Sequence, residues 1–333
     1  MECEESGVQD DTSELLGRAS TKFFIDLYRV SQTSSASNYL VSPYSIFTSL
    51  SLLQLGARGP TKARLAQLLH FDNKVDIMHR QASNFIDTLD LLTTNSNGSI
   101  TLQSANSVYL DSSITAEKVF IDAINCLYRS DVTSLELQKE PKHSAEIINN
   151  WIVEKTLGKI RDLIDPDVLE DSQVILLNTV YFRASWRLPF NRGPKVMFTQ
   201  ESGSQVEVDM MILEGLVATV ATPTLHVVEL DYAMACDGCS QTDVAMYLFV
   251  PREGVTVSEA EAGFLQEKIL SGQALKLEQQ SLRLEMPRFE IRHREQNLGK
   301  VLGELGLPLG GDFGGISRDP LLVSEVMHEA VLR

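Results

Sequence analysis

The run Val174-Ile-Leu-Leu-Asn-Thr-Val-Tyr-Phe-Arg-Ala-Ser-Trp186 constrains this chain more than any other stretch. It is too apolar for a strand with one wet face. It is also too rich in β-branched and aromatic residues for an easy helix. Such a run predicts a strand covered on both faces. Yet Asn178 sits near its middle, and Trp186 closes it. A carboxamide buried in such a strand needs hydrogen-bond partners or costs stability. The fold must therefore bury this strand between two layers and bring polar groups to it from elsewhere.

Upstream of the run the chain reads mainly as helix. Residues 1–13 are polar and predict a loose, disordered terminus. From about Ser13 to Val30, the residues Leu16, Phe23, Phe24, Leu27 and Tyr28 recur near helical spacing. In Asn38-Tyr-Leu-Val-Ser-Pro-Tyr-Ser-Ile46 a short extended piece enters a helix that runs to Gly56. Ser42 is its N-cap and Pro43 its first-turn proline. Further helices are predicted from Gly59, over 76–92, over 115–128, and from a Ser144 cap to Thr156. Ser99–Asp111 and Asp131–Leu137 read as strands, and Asp165-Pro166 reads as a break. Downstream, strands are predicted over 206–212, 216–221, 225–230, 244–250, 282–287 and 321–332, the last holding His328. Helices near 257–270 and 297–305 interrupt them. Helices early and antiparallel-type strands late imply an α+β chain. No repeat, Gly/Pro-rich linker or change of composition divides it, so one domain over 14–333 is expected.

The chain has 45 acidic and 29 basic residues, a net charge of −16, which argues against a general nucleic-acid binder. No apolar run is long enough to cross a bilayer, so no membrane partner is expected. Cys3, Cys126, Cys236 and Cys239 form no dense framework, as expected in a reducing compartment. Cys236-Asp-Gly-Cys239 has no second pair or histidine set for zinc, and no strand-to-helix setting for redox chemistry. It reads as a surface loop, and no metal or cofactor is expected. There is no Gly-x-Ser-x-Gly, no phosphate loop and no metal-spaced His/Glu pair, so an enzyme is not expected. His70, His79, His143, His226 and His293 are scattered and read as surface or turn residues. Asn97-Gly-Ser99 is a glycosylation sequon that matters only in a secreted protein. The acidic, polar start has no basic region followed by an apolar stretch. A cytoplasmic location is expected, with the extracellular space as the alternative.

Taken in order, these segments resemble the serpin family. Asn38–Ile46 resembles the entry to helix B, and Gly56-Ala-Arg-Gly-Pro-Thr61 the turn after it. Ile148-Asn-Asn-Trp151 with Thr156-Leu-Gly-Lys-Ile160 is similar to helix F and the segment that follows. Asn178–Trp186 resembles strand 3 of sheet A, and Val323-Ser-Glu-Val-Met-His-Glu-Ala330 its strand 5. Val208–Met211 and Val228–Tyr232 resemble later strands. The resemblance implies a helix-rich half packed on a large central sheet A, with smaller sheets B and C. It implies a "shutter" formed by Ser42, Ser45, Asn178 and His328, and a "breach" at Trp186. A buried His328 taken alone reads only as a satisfied core histidine.

Inhibition of a serine protease, or of a cysteine protease, is the function the resemblance implies. A reactive loop is cleaved and inserts into sheet A, and the protease is trapped. The sequence stops at Arg333, five residues past His328 and before the position where the family places hinge, loop and last strands. No reactive bond is therefore read, the target protease is unknown, and this chain alone is expected to be non-inhibitory. The alternative is a non-inhibitory serpin acting as chaperone, carrier or interaction protein. Near residues 76–92 few bases face Asp76, Asp87 and Asp90, so heparin is not expected to bind. A monomer is expected.

Overall fold

The computed structural model describes residues 13–31, 38–200, 202–233, 244–265, 275–295, 298–307, 310–319 and 321–332. Residues 1–12, Cys236 and Cys239 lie outside them, so the terminus and the CxxC segment are not described. Cys126 is disulfide-bonded. The chain divides into two compact units. The first comprises residues 1–90, 102–182 and 291–332, and the second 91–101 and 183–290.

In the first unit the helices are α1 (Ser13–Ser31), α2 (Pro43–Gly56), α3 (Gly59–Leu68), α4 (Val75–Asn95), α5 (Lys118–Tyr128), α6 (Pro141–Lys155), α7 (Pro166–Leu169) and α9 (Leu298–Glu304). Helix α4 runs on into the second unit, which also holds α8 (Val257–Phe264). Ser42 caps α2 as the sequence predicts: its hydroxyl accepts from the Ser45 N–H, and Pro43 follows in the first turn. Two predicted starts differ. Helix α6 begins at Pro141, and Ser144 lies buried inside it. The ring of Pro141 pre-sets the first helical φ, so the helix starts one turn earlier. Asp165-Pro166 starts the short α7, with the Asp165 carboxylate accepting from Asp167 N–H, rather than breaking the pattern.

The central sheet has the order β2 (Asp131–Leu135), β1 (Ile100–Asp111), β3 (Val174–Ala184), β10 (Val323–Leu332), β9 (Ile291–Glu295). Strands β3 and β10 are parallel and bonded directly from Val174↔Val323 to Phe182↔Leu332. One extra residue, Ser324, bulges at the start of this seam; its hydroxyl accepts from Gln173 N–H at 2.9 Å. The two faces follow strand parity. Val108, Leu110, Val174, Leu176, Val323 and Val326 share one core cluster with α2. Tyr109, Ile175, Leu177 and Val331 share another with Ile148 and Ile152 of α6. The strand predicted to be covered on both sides is thus sandwiched between α2 and α6. Strand β9 was not expected: Arg292 and Arg294 alternate with half-buried residues, a pattern that suits a charged sheet edge.

In the second unit β4 (Asn191–Thr199), β5 (Gln205–Ala221), β6 (Leu225–Asp231), β7 (Ala245–Pro251) and β8 (Glu278–Pro287) are antiparallel. Two short strands were predicted where one, β5, runs unbroken for 17 residues. Glu214 and Gly215 do not interrupt it because both are paired with β8. β5 carries β4 and then β6 along one edge and β8 along the other, so these five strands form one sheet. Strand β4, also unexpected from sequence, holds Gly193 and Pro194 at a register shift on an edge, where a missing amide donor is tolerated.

Candidate functional site

Helix α2 is buried nearly all round, so its hydroxyls cannot face water. Thr48 and Ser51 donate to the carbonyls of Tyr44 and Phe47 one turn back. Ser45 and Ser49, also one turn apart, share the other polar direction. Ser45 Oγ and Ser42 Oγ are 2.7 Å apart, and Ser49 Oγ donates to Asn106 Oδ1 of β1 at 3.2 Å. Asn178 of β3 donates from Nδ2 to the same Asn106 oxygen.

His328 of β10 closes this chain. It is fully buried and stands opposite Asn178 in the parallel ladder. Its Nε2 accepts from the Ser42 backbone N–H at 3.1 Å, and its Nδ1 lies 3.0 Å from Asn178 Oδ1. An amide can only donate, so Nε2 is the bare nitrogen and Nδ1 carries the proton. Asn178 then accepts at Oδ1 and donates at Nδ2, and every bond is accounted for. Burial, then the neighbouring His293, pushes the His328 imidazole down from 6.5 to about 3, so it is neutral at physiological pH.

The structure therefore brings Ser42, Ser45, Asn178 and His328 into one hydrogen-bonded group and adds Asn106 and Ser49, which sequence reasoning missed. The signal for Asn106 was its parity. It stands two residues before Val108 and four before Leu110, on the face that those residues turn into the core. Trp186 is not part of the group. It lies in the second unit, stacked on Tyr232 with centroids 4.6 Å apart and edge-on to Phe190 at 5.7 Å.

The opposite face of the seam carries charge. Glu329 of β10 is fully buried, and its carboxylate meets Arg294 Nε at 3.2 Å and Arg292 Nε at 3.5 Å. Those two arginines also donate to the carbonyls of Asp162 and Lys159, in the segment after α6. Asn149 of α6 grips the same segment through two bonds to Ile164, each 2.9 Å.

One histidine reading needs correction. His79 is core, with Nδ1 2.5 Å from Tyr128 Oη and Nε2 2.8 Å from Gln54 Oε1. Burial, then Lys62, pushes it down to about 3. The helical face of α4 that carries His79 turns inward, which scattered spacing did not reveal. Among the described residues no cluster of three or more His, Cys, Asp or Glu is placed to hold a metal ion. No described helix is long and apolar enough to cross a membrane.

The serpin (serine protease inhibitor) profile matches residues 18–333. Serpin A3-8 of Bos taurus is 31% identical over 327 residues, covering 95% of this chain and 75% of the relative. Antithrombin-III of Homo sapiens is 28% identical over 332 residues, covering 95% of this chain and 70% of its own length. Among solved structures, human thyroxine-binding globulin in complex with its hormone superposes with a TM-score of 0.83 at 22% identity, over 96% of this chain and 86% of that one. A profile spanning nearly the whole chain, on a mixed central sheet flanked by helices, shows that the chain belongs to the serpin family of protease inhibitors.

Proposed function

We propose that this chain is the body of a serpin-type inhibitor of a serine protease, in which a cleaved reactive loop enters as a new strand between β3 and β10; without such a loop the chain does not inhibit. The observation that carries the reading is the direct parallel pairing of those strands, fastened by His328 to Asn178 and to the first turn of α2. Parallel pairing is slightly weaker per residue than antiparallel pairing. A strand entering antiparallel to both neighbours replaces one such ladder with two better ones. The fastening is polar and small, so its groups can part and re-pair around the newcomer. In the family the loop follows the strand that β10 resembles. The protease nucleophile attacks it, and insertion carries the acyl-enzyme away from its working geometry. No side chain of the fastening does chemistry on the substrate.

The test needs only a strand supplied from outside. An acetylated peptide rich in Ala, Thr and Gly, incubated with the chain, should add as the missing central strand. At about 1 kcal/mol net per new backbone bond, the gain in Tm is about 10 °C or more. A chain extended past Arg333 by such a loop should form an SDS-stable complex with a serine protease, or with a cysteine protease as the second target class. No rise in Tm, together with simple cleavage by every protease tried, would leave a chaperone, carrier or interaction role in its place.

A further inference from the structure

A cavity of about 300 Å³ lies among α1, α2 and α4, within the first unit. Three features define what fits it. First, none of its lining residues is charged. Burial pushes the Tyr44 phenol up to about 12, so that wall also stays neutral. Second, the walls are aromatic. Tyr44 and Phe85 meet edge to face at 5.1 Å, and Phe47 forms the inner wall, itself edge-on to Phe23 and Phe71. Phe85 keeps 39% of its surface in water. Third, the side toward α1 is open because residue 17 is glycine: a Cβ there would meet nothing within 4 Å. Glycine inside a helix costs about 1 kcal/mol relative to alanine, so its presence in α1 favours no local structure. The amides of Gln81 and Asn84 and the hydroxyl of Ser20 supply a few hydrogen-bonding groups.

We propose that this cavity is a binding site for a small, neutral aromatic molecule carrying one hydrogen-bonding group. Its volume is at the lower end for ligand pockets, about 300 Å³, which suits a one- or two-ring compound. The ring of such a guest continues the edge-to-face packing of Phe23, Phe47 and Phe71 and covers the exposed part of Phe85. Its polar group meets the amides of α4. An anion is excluded, because no cation lines the walls and desolvating a charge there is costly. Binding requires nothing of the β3–β10 seam, so it stands or falls apart from the inhibitor reading.

The probe is β-naphthol, with naphthoate as its anionic counterpart, titrated against the chain by fluorescence and by thermal unfolding. Saturable binding with a raised Tm is expected for β-naphthol and none for naphthoate. Gly17→Leu and Ser20→Leu each place a side chain in the space and should weaken β-naphthol by about tenfold. The Tm of free Gly17→Leu should be no lower than that of the parent, since leucine is the better helix former. In the parent chain, NMR contacts from the probe should reach the methyl groups of Leu16, which line the site. Absence of saturable binding, equal binding of naphthoate, unchanged affinity in both folded variants, or probe contacts that avoid Leu16 would each overturn the proposal.

Discussion

His328 and His79 are both neutral because the protein interior gives a charged imidazole no solvation. This has a consequence for pH. Both values are lowered from 6.5 to about 3, so between those values the unfolded chain binds protons that the folded chain refuses. Stability is then full above about pH 6.5 and is lost progressively as pH falls toward 3. Each histidine contributes at most about 1.4 kcal/mol per pH unit in that window. Urea unfolding measured at intervals across it should show the decline, and His328→Gln should reduce the slope by the share of one proton. An unchanged slope would mean that the ring is solvated. At this scale the sequence was legible where a residue's neighbours in the chain settle its role. The Ser42 cap and the polar Asn178 in an apolar run are of that kind. His79 was not legible, because the partners that bury it, Gln54 and Tyr128, are 25 and 49 residues away.

Among elements, the buried Glu329, held by Arg292 and Arg294, ties β10 and β9 to the segment after α6. Removing both arginines leaves a carboxylate with 1% of its side chain exposed and no counter-ion. Such a loss costs about 3–5 kcal/mol. The double variant Arg292→Met/Arg294→Met should unfold at correspondingly lower urea, and adding Glu329→Met should recover much of the loss. Additive effects in this cycle would show that the charges do not interact. If Glu329 anchors the strand that must part from β3, the double variant should also take up a strand peptide faster than the parent. Strand existence was readable wherever apolar residues alternate. Strands β4 and β9 were missed because edge strands are rich in charge, glycine and proline, which mimic loops. The continuity of β5 was missed because only its partner β8 shows that Gly215 is paired.

Over the whole molecule, net charge opposes contact with polyanions. The chain carries −16, and α4 holds only Arg80 and the buried His79 as basic side chains against Asp76, Asp87 and Asp90. Arg129, a cation beside α4, is already paired with both oxygens of Asp87. The chain should pass unretained through immobilised heparin at about 0.15 M salt, where charges interact over about 8 Å. Retention at that salt would reveal a basic patch that these residues do not supply. By itself the sequence determined what depends on near neighbours: the two-sided strand at 174–184, the Ser42-Pro43 helix start, and the order of segments that marks the family. Tertiary structure alone decided who meets whom across long separations. The bonds of the fastening join residues 72, 150 and 286 positions apart. Periodicity tells which face of an element is buried, but a hydrogen bond also needs its partner's position to within a few tenths of an ångström. Only the assembled layers supply that, and with it the proton on Nδ1 of His328, the place of Asn106, and the open space beside Gly17.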